Sequence, residues 1–157
     1  AMKHLIGLST QQANERKTFG SPISSYGLIK KKVAQMVVDC YTTEATVTMV
    51  GGLIDAGYKE YQVEAAISKV YATECLWRTA DEALQIAAGN GFMKEYPYER
   101  IVRDCRINRI FEGTNEILRL LIALQAMNEV ASQLQELSST MKGIFNEPIK
   151  GFGVLSD

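Results

Sequence analysis

Three short stretches of this chain carry residues whose types and spacing could do chemistry. In RIFEGTNEIL, Arg109 to Leu118, Glu112 stands between an aromatic, Phe111, and a helix break at Gly113 and Thr114. A carboxylate there has two readings: it favours the positive end of the helix that follows, or it is held out as a general base. A base needs partial burial to raise its pKa toward working pH, and a substrate proton within reach. Phe111 could supply the desolvation, and Gly113 could let a substrate approach. Glu116, in the first turn after the break, suits the helix dipole. In ERKTFG, Glu15 to Gly20, Arg16 and Lys17 beside Thr18 and Phe19 could hold a phosphate and flank a planar ring. The competing reading is that these cations complement a helix C-terminus. In QIAAGNG, Gln85 to Gly91, small residues would let a ligand approach the backbone and Gln85 offers an amide. A glycine C-cap at Gly89 or Gly91 would explain the same residues. The stretch is not a dinucleotide fingerprint, because no strand precedes it.

Other chemistries find little support. His4 is the single histidine and reads as a helix-surface residue, which leaves His-dependent catalysis without a base. Cys40, Cys75 and Cys105 are far apart and lack zinc-ligand spacing, so they read as reduced packing residues and no metal is expected. Arg100, Arg103, Arg106 and Arg109 recur every three residues with Glu99 and Asp104 among them, which describes an ion-paired or solvated face better than a phosphate track. A net charge of -1 argues against a nucleic-acid binder. The first residues read as an amphipathic helix and not as a secretory signal. The most apolar run, ILRLLIALQAM, is interrupted by Arg119 and is too short to span a bilayer.

The elements that must position these stretches are helices. With 157 residues, 46% of them hydrophobic, the chain can bury one core. Apolar spacing predicts helices over about Ala1–Lys17, Tyr26–Ala56, Gln62–Ala88, Tyr98–Ile110 and Thr114–Leu137, with loops at TFGSPISSYG and GNGFMKEYPYE. Gly51 and Gly52 inside the second helix suggest a close helix contact there, and Thr114 can cap the last helix. No segment alternates with a period of two. The reading is therefore all-α: an antiparallel four-helix bundle over 1–137, with a short extra helix and an irregular tail over 138–157. Such a bundle alone leaves apolar surface open, which suggests a partner domain or subunit.

In this order and on these helices, RKTFG, QIAAGNGFMKEYPYERIVRD and RIFEGTNEILR resemble the C-terminal domain of the acyl-CoA dehydrogenases, over about Met2 to Gln125. SYGLIKKKVAQM, EAAISKVYATE and EYPYER lean toward the very-long-chain branch and its relative that serves complex I assembly. The resemblance implies FAD as cofactor, a fatty acyl-CoA substrate, an electron-transferring flavoprotein as partner, and a homo-oligomer. It also implies the mitochondrial matrix in a eukaryote and the cytoplasm otherwise. Glu112 matches the base that takes the α-proton while the β-hydrogen leaves as hydride to FAD, and Gly113 matches a substrate-contacting glycine. Arg16, Thr18 and Phe19 match positions that hold the FAD of a neighbouring subunit. Gln85 through Gly89 match a second FAD contact, and Thr114, Asn115 and Glu116 a third. Ala88 departs from the glycine usual in that loop, Tyr26-Gly27 from a common His-Gln pair, and Glu116 from a glutamine. The family's N-terminal helical and middle β-domains have no counterpart here, so the chain by itself is expected to be inactive. The competing reading is a non-catalytic helical assembly module.

Overall fold

The computed structural model describes residues 1–146. Six helices dominate it: α1 (Met2–Glu15), α2 (Gly27–Asp55), α3 (Gln62–Ala87), a single turn α4 (Gly89–Phe92), α5 (Tyr98–Arg106) and α6 (Asn115–Asn146). Contacts divide the chain into one unit up to Arg119 and a second from Leu120 onward.

In the first unit α3 is the central helix, packed against α1, α2 and α5. Its composition allows this. Ala66, Cys75, Ala80, Ala83 and Ala87 are buried, and such small side chains let neighbouring backbones come close on several sides. The α1 contribution is Leu5, Ser9 and Ala13, spaced four apart on one line down the helix. Tyr98 and Cys105, two turns apart on α5, complete the core with Met36, Ile86 and their neighbours. Burial pushes the Cys105 thiol up, as suits a packing residue. All three cysteines are free, and His4 is exposed. The short connections between successive long helices make α1, α2 and α3 an antiparallel stack.

Asp39 on α2 is buried, and Gln35 (2.9 Å) and Arg78 (3.2 Å) satisfy its carboxylate. Lys32 and Glu82 add a second ion pair between α2 and α3. These polar ties hold α2 to α3, and Val47 and Ile54 of α2 are exposed. The close contact expected at Gly51 and Gly52 is not formed: a Cβ added at either would meet nothing within 4 Å among the described residues.

The second unit, as far as it is described, is the continuation of α6. The helix runs on to Asn146, so residues 138–146 are helical where an irregular tail was expected, and 147–157 lie outside the described residues. Leu120, Leu121, Leu124, Met127, Leu134 and Leu137 are exposed along it. No helix among the described residues is long and apolar enough to cross a membrane.

Candidate functional site

Three residues other than glycine adopt positive φ among the described residues: Phe19 (52°), Ala88 (55°) and Glu112 (55°). One falls in each stretch singled out from the sequence. Backbone of this hand is strained for a side chain bearing a Cβ, and such strain collects where a structure must aim a group.

Glu112 owes its position to how α5 ends. The helix tightens into a 3-10 turn at Ile107–Arg109, and the Phe111 amide donates to the Ile107 carbonyl at 3.1 Å. Glu112 and Gly113 (φ 85°) then reverse the chain with two left-handed residues. Thr114 starts α6 as anticipated, its Oγ1 accepting the Ile117 amide at 3.3 Å. The reversal lies on α3. Lys69 Nζ donates to the Gly113 carbonyl (2.7 Å) and to Asn115 Oδ1 (2.8 Å). Asn115 is fully buried; its Nδ2 donates to Thr73 Oγ1 (2.9 Å) and Glu74 Oε1 (3.0 Å). Glu74 also accepts from Arg109 and Arg119, each at 3.2 Å. Burial pushes the Glu74 carboxyl up, but the Asn115 amide and the two guanidinium groups outweigh it and hold it below the usual range. Arg109 and Arg106 both lie over the Trp77 ring, at 5.8 and 5.7 Å from its centre. The arginine series is thus partly spent inside the fold.

The Glu112 carboxylate is exposed, and Phe111 is itself 47% exposed. The desolvating cleft expected from the sequence is not built by the described residues: the turn is tied to α3 through the Gly113 carbonyl and Asn115, and Glu112 itself stays exposed. Gly113 and Glu116 are also exposed, and Thr114 is half-buried.

The other two stretches lie elsewhere on the molecule. Lys17–Thr18 pairs with Ser21–Pro22 as a two-residue antiparallel hairpin, where a plain loop was expected. It is pinned by the Ile23 amide on the Arg16 carbonyl (2.9 Å) and by the Tyr26 hydroxyl, which donates to the Thr18 carbonyl (2.7 Å). Phe19 at the tip is 95% exposed, Arg16 is exposed and Thr18 half-buried. At the end of α3, Gln85, Ala88 and Gly89 are exposed. The close backbone approach in this turn falls on Gly91, where a Cβ would sit 2.4 Å from the Leu84 carbonyl oxygen, and not on Gly89. Gln85 is sixteen residues beyond Lys69 on α3, roughly 24 Å at about 1.5 Å per residue. So the chain does not bring Glu112 to the Gln85 turn.

Sequence reasoning missed Lys69, Thr73 and Glu74. The signal was present: a lysine, a hydroxyl and a carboxylate at helical spacing beside the buried Val70 and Ala66. It was unreadable without knowing that Asn115 docks there. Among the described residues no group of three His, Cys, Asp or Glu is placed to hold a metal.

Comparison with known proteins assigns this architecture. Residues 1–127 match the family model for the acyl-CoA dehydrogenase C-terminal domain. The mitochondrial very long-chain specific acyl-CoA dehydrogenases of mouse and human are 44% and 45% identical over 144 residues, 92% of this chain and 22% of theirs. An acyl-CoA dehydrogenase from Bacillus anthracis, solved in complex with FAD, superposes with a TM-score of 0.76 at 34% identity, over 92% of this chain and 28% of that one. Butyryl-CoA dehydrogenase from Megasphaera elsdenii gives 0.76 at 29% identity, over 80% of this chain and 33% of that one. With helices, turns and family model in agreement, this chain belongs to the acyl-CoA dehydrogenase family and is similar to its C-terminal domain.

Proposed function

We propose that this chain is the flavin-contacting, oligomerising C-terminal domain of an enzyme that desaturates long-chain fatty acyl-CoA, with Glu112 as the general base. The observation that carries the reading is the Glu112 turn: an exposed carboxylate on left-handed backbone, fixed through Gly113 and Asn115 to the central helix. A surface side chain with no task gains nothing from such backbone; a base that must meet a carbon acid at a set distance does. Glu112 takes the α-proton of the thioester, and the carboxylate's exposure in this chain leaves it free to be covered by substrate and a neighbouring surface.

The remaining residues fit FAD. Arg16 forms no ion pair among the described residues, so its guanidinium is free for a pyrophosphate. Phe19 offers a bare aromatic face at a hairpin tip, and Thr18 a hydroxyl beside it. Gln85 and Gly89 present an amide and an open backbone at the end of α3. Thr114, Asn115 and Glu116 lie beside the base; the Asn115 side chain is fully engaged with α3, so its contribution to a cofactor contact is through its backbone. FAD when bound accepts the β-hydrogen as hydride. The distance along α3 between Glu112's anchor and the Gln85 turn supports a division in which Arg16, Phe19 and Gln85 serve the flavin of a neighbouring subunit. An electron-transferring flavoprotein then completes turnover, in the mitochondrial matrix of a eukaryote or the cytoplasm of a bacterium.

The test is Glu112→Gln in a full-length flavoprotein carrying this chain as its C-terminal domain. Dye reduction with palmitoyl-CoA should fall by about 10²–10⁴-fold while FAD stays bound. Undiminished turnover would exclude Glu112 as the base. The exposed apolar residues of α2 favour a second reading, an assembly module without catalysis, and that reading predicts no effect of Glu112→Gln on its association.

A further inference from the structure

We propose that Lys69 is a positioning residue for Glu112: its ammonium, bonded at once to the Gly113 carbonyl and to Asn115, clamps the left-handed turn onto α3 and so fixes where the carboxylate stands. The inference rests on Glu112 being the base, and it adds a residue that acts on that base through the backbone of the turn.

Three observations meet at this ammonium. The bond from Lys69 is the one hydrogen bond that ties the backbone of Glu112 and Gly113 to α3 among the described residues. Both residues have positive φ, a state an unrestrained glutamate leaves readily, and a charge-assisted bond to the next carbonyl outweighs that tendency. Lys69 is itself held. Its second bond goes to Asn115, whose amide is locked by Thr73 and Glu74, and Glu74 by Arg109 and Arg119. The clamp is therefore a connected network of satisfied groups in which each member fixes the next. Desolvation lowers the Lys69 pKa, against the pull of Glu116, Glu112 and Glu74, which places its charge within reach of the base.

Nuclear magnetic resonance on the 157-residue chain tests this without flavin or substrate. The φ-dependent couplings and the Cα and Cβ shifts of Glu112 should carry the left-handed signature. In Lys69→Met they should average, with exchange of the Ile117 and Leu118 amides, both bonded to Thr114, at least about tenfold faster and that of Ala80 and Ala83 unchanged. Lys69→Arg, which keeps the charge and the donors, should restore the signature. A left-handed Glu112 in Lys69→Met, or exchange that rises equally at Ala80 and Ala83, overturns the proposal. If the Met variant does not fold, Lys69→Gln, which keeps a donor but loses the charge, is read by the same signals. In the flavoprotein, Lys69→Met should lower kcat with FAD binding intact. Full turnover in Glu112→Gln would remove the base reading alone, since the resonance signals of the turn do not depend on it.

Discussion

Ala88 shows how much conformation a single methyl must endure at one of this fold's left-handed turns. It caps α3 at φ 55° and ψ −134°, a region glycine enters freely and alanine does not. Strained backbone of this kind costs about 1–3 kcal/mol, whereas glycine's extra freedom in the unfolded chain costs only about 0.4–1 kcal/mol. Relief of strain wins, so Ala88→Gly should stabilise the chain by about 1 kcal/mol in urea unfolding; no gain would mean that α4 already relaxes the turn. The residue scale also shows what a sequence can and cannot convey. QIAAGNG marked the turn, but glycine spacing pointed to Gly89, where a Cβ has open space, and the crowded position is Gly91. Resemblance brought Asn115 forward as a cofactor contact. Burial then gave its side chain a different duty, because all four of its hydrogen-bonding positions face Lys69, Thr73 and Glu74.

At the scale of elements, helix existence was legible and helix faces were not. The ranges of α1 and α3 and the Thr114 cap are legible in the sequence alone. The α2 face was not, because Asp39 is buried by Arg78 and Gln35 from positions that periodicity treats as polar surface. The first turn of α6 docks on α3 in the same way, through Glu74. Its folded pKa lies below its unfolded value, so its contribution is present above about pH 4.3 and is lost as pH falls through the lowered value. Glu74→Gln should cost about 2 kcal/mol at neutral pH, by leaving Arg109 and Arg119 without their acceptor. It should also flatten the loss of stability on acidification below about pH 4.3, read as denaturation midpoints at successive pH values. An unchanged acid slope would show that other carboxylates govern it. Gly52 belongs to the same scale. With open space around it on an exposed helix surface, Gly52→Ala should raise thermal stability by about 0.5–1 kcal/mol. A loss instead would reveal a close approach to that glycine that the described residues do not make.

At the scale of the whole molecule, the question is what the apolar surface is for. Val37, Val38, Tyr41, Val47 and Met49 are exposed on α2, and Leu120, Leu124 and Met127 on α6. Single exposed hydrophobes are ordinary on any protein surface, but rows of them on two helices are the signature of an interface. Burying one such side chain contributes about 1.5–3 kcal/mol, so a handful on each partner can exceed the several kcal/mol that association costs in lost freedom. The chain spans 22% of the length of the mouse and human relatives, which leaves two kinds of cover open, other parts of a longer protein or further copies of this chain. Sedimentation separates them. If copies cover the surface, the 157-residue chain should sediment above its monomer mass at tens of micromolar, within the range where interfaces of about 800 Å² per partner hold. Leu124→Glu combined with Met127→Glu should then return it toward monomer with its helicity unchanged, since neither side chain contributes to the buried core. A chain that stays monomeric at those concentrations, and whose apolar rows still bind a hydrophobic dye, would instead point to cover from a longer protein, and the oligomerising role proposed for this domain would then depend on that protein being whole.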